Sequence, residues 1–249
     1  VFPAPEKTEI PATASPGVND GPEGIVTIVY DGTNSDEIKN VSGKVNVIVK
    51  EGVTEIGYQA FEECSGLTSI TLPKSVTKIG SDTFRCCSGL TNITIPERVM
   101  EIGGYAFSEC KALTYITIPK SVMKIGQGAF SCCDNLESIK VDENNKVYDS
   151  RENCNAIIEK SGNALIVGCK NTKVPEGVTE IGASAFKDCS GLASITLPES
   201  VTKIGGDAFR WCGGLANITL PDSVTEIGCG AFCGCSGLTN IMIPESVTK

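Results

Sequence analysis

The sequence contains no histidine among its 249 residues. Histidine is the commonest general base in enzymes and the commonest metal ligand, so its absence excludes Ser-His-Asp and Cys-His catalysis and every histidine-bearing metal site. A phosphate-binding loop is also missing, because the glycines recur at regular bends and none forms a dinucleotide-binding motif. The carboxylates do not single out a glycosidase pair. We predict that the chain is not an enzyme and holds no cofactor or metal.

Basic residues and long apolar runs are also scarce. The 21 lysines and arginines are outnumbered by 30 acidic residues, which gives a net charge of −9 and an isoelectric point near 4.7. An acidic surface repels phosphate backbones and anionic lipids, so we predict no binding to nucleic acid or to membrane surfaces. No apolar run approaches the roughly 20 residues that cross a bilayer, so no transmembrane segment is expected. The first residues lack the features of a signal peptide, and we interpret them as a mature or trimmed N-terminus.

Most of the chain consists of one 23-residue unit with the pattern V-T-x-I-G-x-x-A-F-x-x-C-x-x-L-x-x-I-x-L-P-x-S. Seven units, numbered here from the N-terminus, begin at Val53, Val76, Val99, Val122, Val178, Val201 and Val224, and an eighth starts at Val247. A period of about 20 to 50 residues is typical of solenoids, in which each unit buries its apolar side against its neighbours. We therefore predict an elongated solenoid over residues 53–249.

The pattern within a unit predicts its local structure. In unit 1 the segment 67–72 alternates inward apolar and outward polar residues, as a short strand does, and Pro73 ends that strand by removing a backbone donor. Gly57 permits a sharp turn, after which Phe61 and Cys64 recur at helical spacing. The predicted fold is an α/β solenoid with a parallel sheet on one face and short helices or turns opposite. Equivalent phenylalanines then form a ladder in the core, at Phe61, Phe84, Phe107, Phe130, Phe186, Phe209 and Phe232.

The combined pattern L-x-x-I-x-L-P and V-x-x-I-G-x-x-A-F-x-x-C resembles the bacterial leucine-rich repeats of the BspA-like surface-antigen family over about residues 45–249. The resemblance implies a right-handed, curved leucine-rich repeat solenoid with the parallel sheet on its concave face. It also implies an extracellular or cell-surface location and adhesion to host or neighbouring-cell proteins. A passive spacer or presentation stalk without a ligand of its own is the alternative function.

The segments before the repeats are predicted to be a tether and a cap. Residues 1–23 contain five prolines among small and acidic residues, so we expect a disordered, extended tether. Residues 24–52 contain two strand candidates, 25–30 and 45–49, which are predicted to cap the N-terminal end of the array. No comparable cap follows unit 7, which leaves open an association of two copies through that end.

An insertion at about 142–177 separates unit 4 from unit 5. Its two apolar runs, 156–159 and 164–167, flank a Gly-Asn turn and predict a β-hairpin. The hairpin around Ile157 and Ile166 is either a second candidate binding site or a structural elaboration that covers apolar surface.

Thirteen cysteines are present, and seven of them occupy one repeat position, at Cys64, Cys87, Cys110, Cys133, Cys189, Cys212 and Cys235. Equivalent side chains in a ladder point in parallel, so these are predicted to be buried free thiols. Cys154 and Cys169 form the candidate disulfide, because counting outward from Glu159 and Ala164 along the hairpin places them opposite each other. A buried dithiol is the alternative. The group Cys229, Cys233 and Cys235 lacks a fourth ligand, and we expect no metal there.

Outward-facing positions of the strands form the candidate protein-binding surface. The residues proposed for it are Asn92, Thr94, Tyr115, Thr117, Ser138, Lys140, Asn217 and Thr219. This surface is small and polar, with a single aromatic residue, which disfavours a sugar-stacking groove on this face. A solvated face with no partner is the alternative.

The third residue of each unit alternates in charge, which predicts an ion ladder along one edge of the array. The alternating residues are Glu55, Lys78, Glu101, Lys124, Glu180, Lys203, Glu226 and Lys249.

Overall fold

The structure is a computed structural model, and it describes residues 19–20 and 24–248. The sequence predicts a disordered tether over residues 1–23, yet Asn19–Asp20 form strand β1, which pairs antiparallel with β2, Ile25–Tyr30. The rest of that predicted tether lies outside the described residues. Helix α1, Ser35–Lys39, and strand β3, Lys44–Val49, follow β2.

Two sets of parallel strands run through the array, with strands numbered in chain order. One set consists of two-residue strands at the third and fourth repeat positions, namely β4 Glu55–Ile56, β6 Lys78–Ile79, β7 Glu101–Ile102, β9 Lys124–Ile125, β14 Glu180–Ile181, β16 Lys203–Ile204 and β18 Glu226–Ile227. The other consists of longer strands, namely β5 Leu67–Thr71, β8 Tyr115–Ile118, β10 Ser138–Val141, β15 Ser194–Thr196 and β17 Asn217–Thr219. Equivalent residues of paired units lie directly opposite each other, as in the register Ser138–Tyr115.

The N-terminal strands continue the set of longer strands. β2 pairs parallel with β3, and β3 pairs parallel with β5 of unit 1. Tyr30 at the end of β2 packs edge-on against Phe61, with the ring centroids 4.9 Å apart. The first repeat unit therefore meets a packed neighbour where the sequence predicts a cap.

Stacked phenylalanines form the centre of the core, as the repeat predicts. Their ring centroids lie 5.5, 5.2 and 5.2 Å apart from Phe61 to Phe130, and 5.1 and 5.4 Å apart from Phe186 to Phe232. The ladder is interrupted between Phe130 and Phe186, and the buried residues accordingly divide into two hydrophobic clusters.

The A-F-x-x-C segment forms tight turns, one of the two predicted alternatives, and the short helices and the α/β description are not confirmed. In unit 1 the N–H of Glu62 donates to the carbonyl of Gln59 at 3.2 Å, whereas the N–H of Phe61 donates to Thr83 of the next unit at 2.8 Å. Alternate amides thus bond to the neighbouring unit, which an α-helix does not allow because all its interior amides bond within the helix. Positive φ angles at Gln59 (53°) and Glu63 (62°) produce this alternation.

The repeated cysteines have a specific role in the stack. The Cys110 thiol donates a hydrogen bond to the carbonyl of Phe84 in the preceding unit at 3.2 Å, and the Cys133 thiol bonds to Phe107 at 3.1 Å. Both residues are buried free thiols, as predicted. Burial raises the pKa of these thiols far above its usual value, so they stay protonated donors at neutral pH.

Charged residues at the third repeat position form three ion pairs of the predicted ladder, whose last member, Lys249, lies outside the described residues. Lys78 lies 3.0 Å from Glu55, Lys124 lies 2.9 Å from Glu101, and Lys203 lies 3.3 Å from Glu180. The hydrogen bond from Lys124 holds the pKa of Glu101 below its usual value. That pair therefore stabilises the array at neutral pH, and its contribution is lost as the pH falls through the lowered pKa of Glu101.

Reversing one charge in the ladder is expected to lower the melting temperature. Lys78 pairs with Glu55, and both Glu55 and Glu101 raise the pKa of Lys78. Lys78→Glu would therefore place three carboxylates in a row along the edge. Lys74→Glu is the matched control, since Lys74 is exposed and makes no ion pair among the described residues. Thermal unfolding monitored by circular dichroism should show a lower melting temperature for Lys78→Glu than for Lys74→Glu. Equal melting temperatures would contradict a stabilising ladder.

The insertion forms the predicted hairpin, but it lies within the array. Strand β11, Tyr148–Asp149, is followed by a 3-10 turn at Arg151–Asn153, by β12, Ile157–Glu159, and by β13, Ala164–Val167. β11 pairs antiparallel with β12, β12 pairs antiparallel with β13, and β13 pairs parallel with β14 of unit 5. In the set of two-residue strands, the hairpin thus occupies the position that a repeat unit would fill beside unit 5.

Both faces of the hairpin are buried. Ile157 is fully buried in the first hydrophobic cluster, whereas its neighbour Ile158 is fully buried in the second. Successive strand residues point to opposite faces, so β12 lies between the two halves of the array and contributes a side chain to the core of each. This burial supports the interpretation of the insertion as a structural elaboration.

Candidate protein-binding face

The outward residues of the longer strands, called the strand face below, form two separate groups. In the first group Tyr115 pairs in register with Ser138, and Thr117 pairs with Lys140. Asn92 and Thr94 are exposed and belong to the neighbouring unit 2, on a segment that is not a strand. In the second group the pairs are Asn217 with Ser194 and Thr219 with Thr196.

The insertion separates these two groups, because strands β10 and β15 do not pair with each other. Between them lies the segment 169–175, in which Cys169, Thr172 and Pro175 are buried and Asn171 and Lys173 are exposed. The Asn171 amide donates to the carbonyl of Glu137 at 3.3 Å, which ties this segment to unit 4.

This segment reproduces the strand pattern, with Cys169 and Val174-Pro175 at the positions of leucine and Leu-Pro. Asn171 and Lys173 are therefore further outward residues that the sequence analysis missed. The signal that could have revealed them is the spacing from Cys169 to Pro175.

The polar groups of the strand face are available for a partner. The side chains of Thr94, Thr117, Ser138, Lys140, Asn217 and Thr219 make no hydrogen bond to another described residue. Tyr115 is 50% exposed. Its ring offers apolar surface and its hydroxyl offers a donor and an acceptor, a combination that is enriched in protein interfaces. Tyr115 is thus the largest contact residue of the first group.

The rival site on the hairpin is poorly accessible. Ile157 is fully buried, and Ile166 is half-buried and packs against the first hydrophobic cluster. A partner could reach Ile157 only if the two halves of the array came apart.

The register that predicts a Cys154–Cys169 disulfide is wrong. A β-bulge lies between Ile157 and Ile158, so that Ile157 pairs with Val167 instead of Ile166. The shift moves Cys169 towards Asn155, whose carbonyl accepts a hydrogen bond from the Cys169 thiol at 3.4 Å. Both cysteines are buried free thiols in the structure.

Neither a metal-ligand cluster nor a membrane-spanning helix is found in the described part of the chain. It contains no group of three potential metal ligands among its cysteines and carboxylates. Over the same residues, no helix is long and apolar enough to cross a membrane.

Comparisons with known proteins agree with the repeat pattern. The family profile described as a BspA type leucine rich repeat region matches residues 39–157 and 165–249, in six copies. A search of curated proteins finds no match.

Several solved structures share the fold. A leucine rich cell surface protein from Faecalibacterium prausnitzii is 30% identical, with 96% of this chain and 76% of that protein covered and a TM-score of 0.61. A leucine-rich repeat protein from Eubacterium ventriosum is 26% identical, with 91% and 75% covered and a TM-score of 0.59. The pneumococcal vaccine antigen PcpA, at 19% identity, shows likeness of fold alone, with 88% of this chain and 55% of that protein covered and a TM-score of 0.58.

Both the profile and the solved structures therefore identify the same architecture. The chain belongs to the BspA-type leucine-rich repeat family, and its fold is a leucine-rich repeat solenoid of stacked parallel strands.

Proposed function

We propose that the chain is a non-enzymatic scaffold, secreted or displayed on a cell surface, that binds a protein partner through the strand face around Tyr115. The surface location is supported by the Faecalibacterium relative, which is a cell surface protein. Adhesion to a host or neighbouring cell is the role that fits a surface-displayed array of this family. Its partner is a protein of the extracellular matrix or of another cell surface.

One observation carries the choice of the strand face. Tyr115 is half-exposed and stands in register with Ser138, and the side chains of Ser138, Thr117 and Lys140 beside it make no hydrogen bond to another described residue. Paired strands hold these groups in fixed rows, so the strand face loses little conformational entropy when a partner binds. Tyrosine is also among the residues that contribute most to protein interfaces.

A passive spacer is the second candidate function. It is favoured by the composition of the strand face, where Tyr115 is the only aromatic residue in the first group. A spacer would bind none of the partners tested, whereas a scaffold of the kind proposed binds at least one.

Simultaneous substitution of Tyr115, Asn92 and Lys140 by alanine is expected to weaken binding to a verified partner by at least about tenfold. A panel of purified extracellular-matrix and cell-surface proteins, tested by surface plasmon resonance, first identifies that partner. The matched control changes Ser194, Asn217 and Thr219 of the second group to alanine. Deletion of residues 1–23 should leave the affinity unchanged.

Two results would contradict this assignment. One is a triple variant that binds the verified partner as tightly as the unmodified chain does. The other is a loss of binding that appears only when the hairpin is changed.

A further inference from the structure

The only tryptophan of the chain lies on the turn side of unit 6, away from the strand face. Trp211 is 52% exposed, and the guanidinium carbon of Arg210 lies 5.9 Å from the centre of its ring. Arg210 also forms an ion pair with Asp207 at 3.2 Å. An exposed indole, a cation and a carboxylate are thus held together on one surface, which is called the Trp211 platform below.

Glycines of unit 7 make room for this platform. A Cβ atom at Gly234 would collide with the Trp211 ring, and one at Gly230 would collide with the Asp207 carboxylate. Both glycines have positive φ angles, of 76° and 69°. The indole and the carboxylate therefore pack against the backbone of these two glycines of unit 7.

The backbone beneath the platform is fixed. The N–H of Trp211 donates to Cys233 at 2.8 Å, and the N–H of Asp207 donates to Cys229 at 2.9 Å. The positive φ of Trp211 is shared by the equivalent residue of every other complete unit and is part of the architecture. The platform is therefore preorganised by the stacking that holds the whole array together.

Unit 2 provides an internal comparison. It has the same acid and arginine at the equivalent positions, since Arg85 lies 3.8 Å from Asp82. The next residue is Cys86 instead of tryptophan, and unit 3 places Glu109 where unit 7 has Gly234. The acid–arginine pair therefore also occurs in a unit where no aromatic residue follows the arginine. The eleventh repeat position varies from unit to unit, and only unit 6 has an aromatic residue there, packed over a glycine of the next unit.

The chemistry of the platform matches a sugar ring better than a protein surface. Trp211 is the only large exposed hydrophobic residue on the turn side of units 5 to 7 in the described chain, and its ring lies against Gly234. A tryptophan that anchors a protein needs surrounding contacts that exclude water, and no second large apolar side chain is exposed on this side of units 5 to 7 in the described chain.

A pyranose presents one flat face of C–H groups to an aromatic ring, and its hydroxyls are both donors and acceptors. Asp207 supplies acceptors and Arg210 supplies donors beside the indole. The side chains of Arg210 and Asp207 are 38% and 34% exposed, so both can also contact a ligand beside the ring.

We propose that Asp207, Arg210 and Trp211 form a carbohydrate-binding site that stacks a neutral pyranose ring on the indole. The site is separate from the strand face, so the array can bind a glycan and a protein at the same time. A single stacking residue gives weak affinity, which display of many copies on a surface would increase by multivalency.

Fluorescence of the single tryptophan reports directly on this site. We expect a saturable change of its emission on titration with at least one of lactose, maltotriose, cellotriose and triacetylchitotriose, with free N-acetyltryptophanamide as the control for unspecific effects. A glycan array extends the panel of sugars. Isothermal titration calorimetry then measures the affinity for a sugar that binds.

Trp211→Cys copies the residue of unit 2 and should weaken sugar binding by at least about tenfold. Trp211→Phe should retain part of the affinity, and the strand-face triple alanine variant should bind sugar unchanged. Absence of binding to every sugar, or equal binding by the unmodified chain and Trp211→Cys, would overturn the proposal. Loss of a protein partner from Trp211→Cys, without any sugar binding, would also overturn it and assign the platform to a protein interface.

Discussion

Gly103→Ala is expected to lower the free energy of unfolding by about 3 kcal/mol. Gly103 is the fifth residue of unit 3, where the chain passes close to unit 2. A Cβ atom there would lie 2.5 Å from the carbonyl carbon of Gly80, and backbone on both sides prevents a local rearrangement. Because each unit is stabilised by its neighbours, a shift at this point weakens the packing between units 2 and 3. Urea unfolding followed by circular dichroism measures the effect.

The same substitution at the start of the array provides the control. Gly57 occupies the same position in unit 1, but nothing lies within 4 Å of a Cβ atom there and its φ is not positive. We expect Gly57→Ala to change the free energy of unfolding by no more than about 1 kcal/mol, in the stabilising direction. Similar losses from both substitutions would show that glycine is needed for the turn itself and not for the close approach of successive units.

Ile157→Ala is expected to destabilise the array by about 2 to 5 kcal/mol, the usual cost of removing a large aliphatic side chain from a packed core. Ile157 is fully buried and belongs to the cluster formed by the first half of the array. The cavity would lie where the hairpin joins the two halves of the array. Urea unfolding of this variant should therefore also show whether the two halves unfold in separate steps.

Ile166→Ala is the matched control on the neighbouring strand of the hairpin. Ile166 is only half-buried, and we expect a loss of about 1 kcal/mol. If Ile157→Ala had no effect on stability, the hairpin would be free to open, and it would again be a candidate binding site.

The architecture could be predicted from the repeat. The same apolar positions recur in every unit, and stacking brings equivalent positions together in the core. Phe84 and Phe107 are fully buried and stack at 5.2 Å, as their equivalent positions require. The alternating charges gave the ion pairs for the same reason, since units in register bring position three of one unit beside position three of the next.

The turns could not be predicted in the same way. Helical spacing of Phe61 and Cys64 suggests a helix, because spacing alone does not reveal where the amide groups bond. In the structure every second amide of this segment bonds to the next unit, and residues such as Gln59 and Glu63 adopt positive φ angles to allow it. The benefit of those bonds exceeds the cost of a left-handed backbone, and it exists only in the stack.

The candidate site was predicted in part. Outward strand positions such as Tyr115 and Lys140 follow from the alternation of the strand. A single β-bulge at Ile157 altered the hairpin register and with it the expected disulfide, and bulges leave no clear trace in a sequence. Asn171 and Lys173 were missed because the insertion keeps only part of the repeat pattern.

Hydroxyl-radical footprinting of the unmodified chain, free and bound to a verified protein partner, tests the proposed strand-face function most directly. Tyr115 and Tyr58 are both exposed, at 50% and 67%, so both react with the radical in the free chain. Tyr58 lies on the turn side and serves as the internal control. We predict that the partner protects Tyr115 from oxidation and leaves Tyr58 unprotected. Unchanged oxidation of Tyr115 in the complex, with protection of Tyr58 or Trp211 instead, would contradict binding through the strand face.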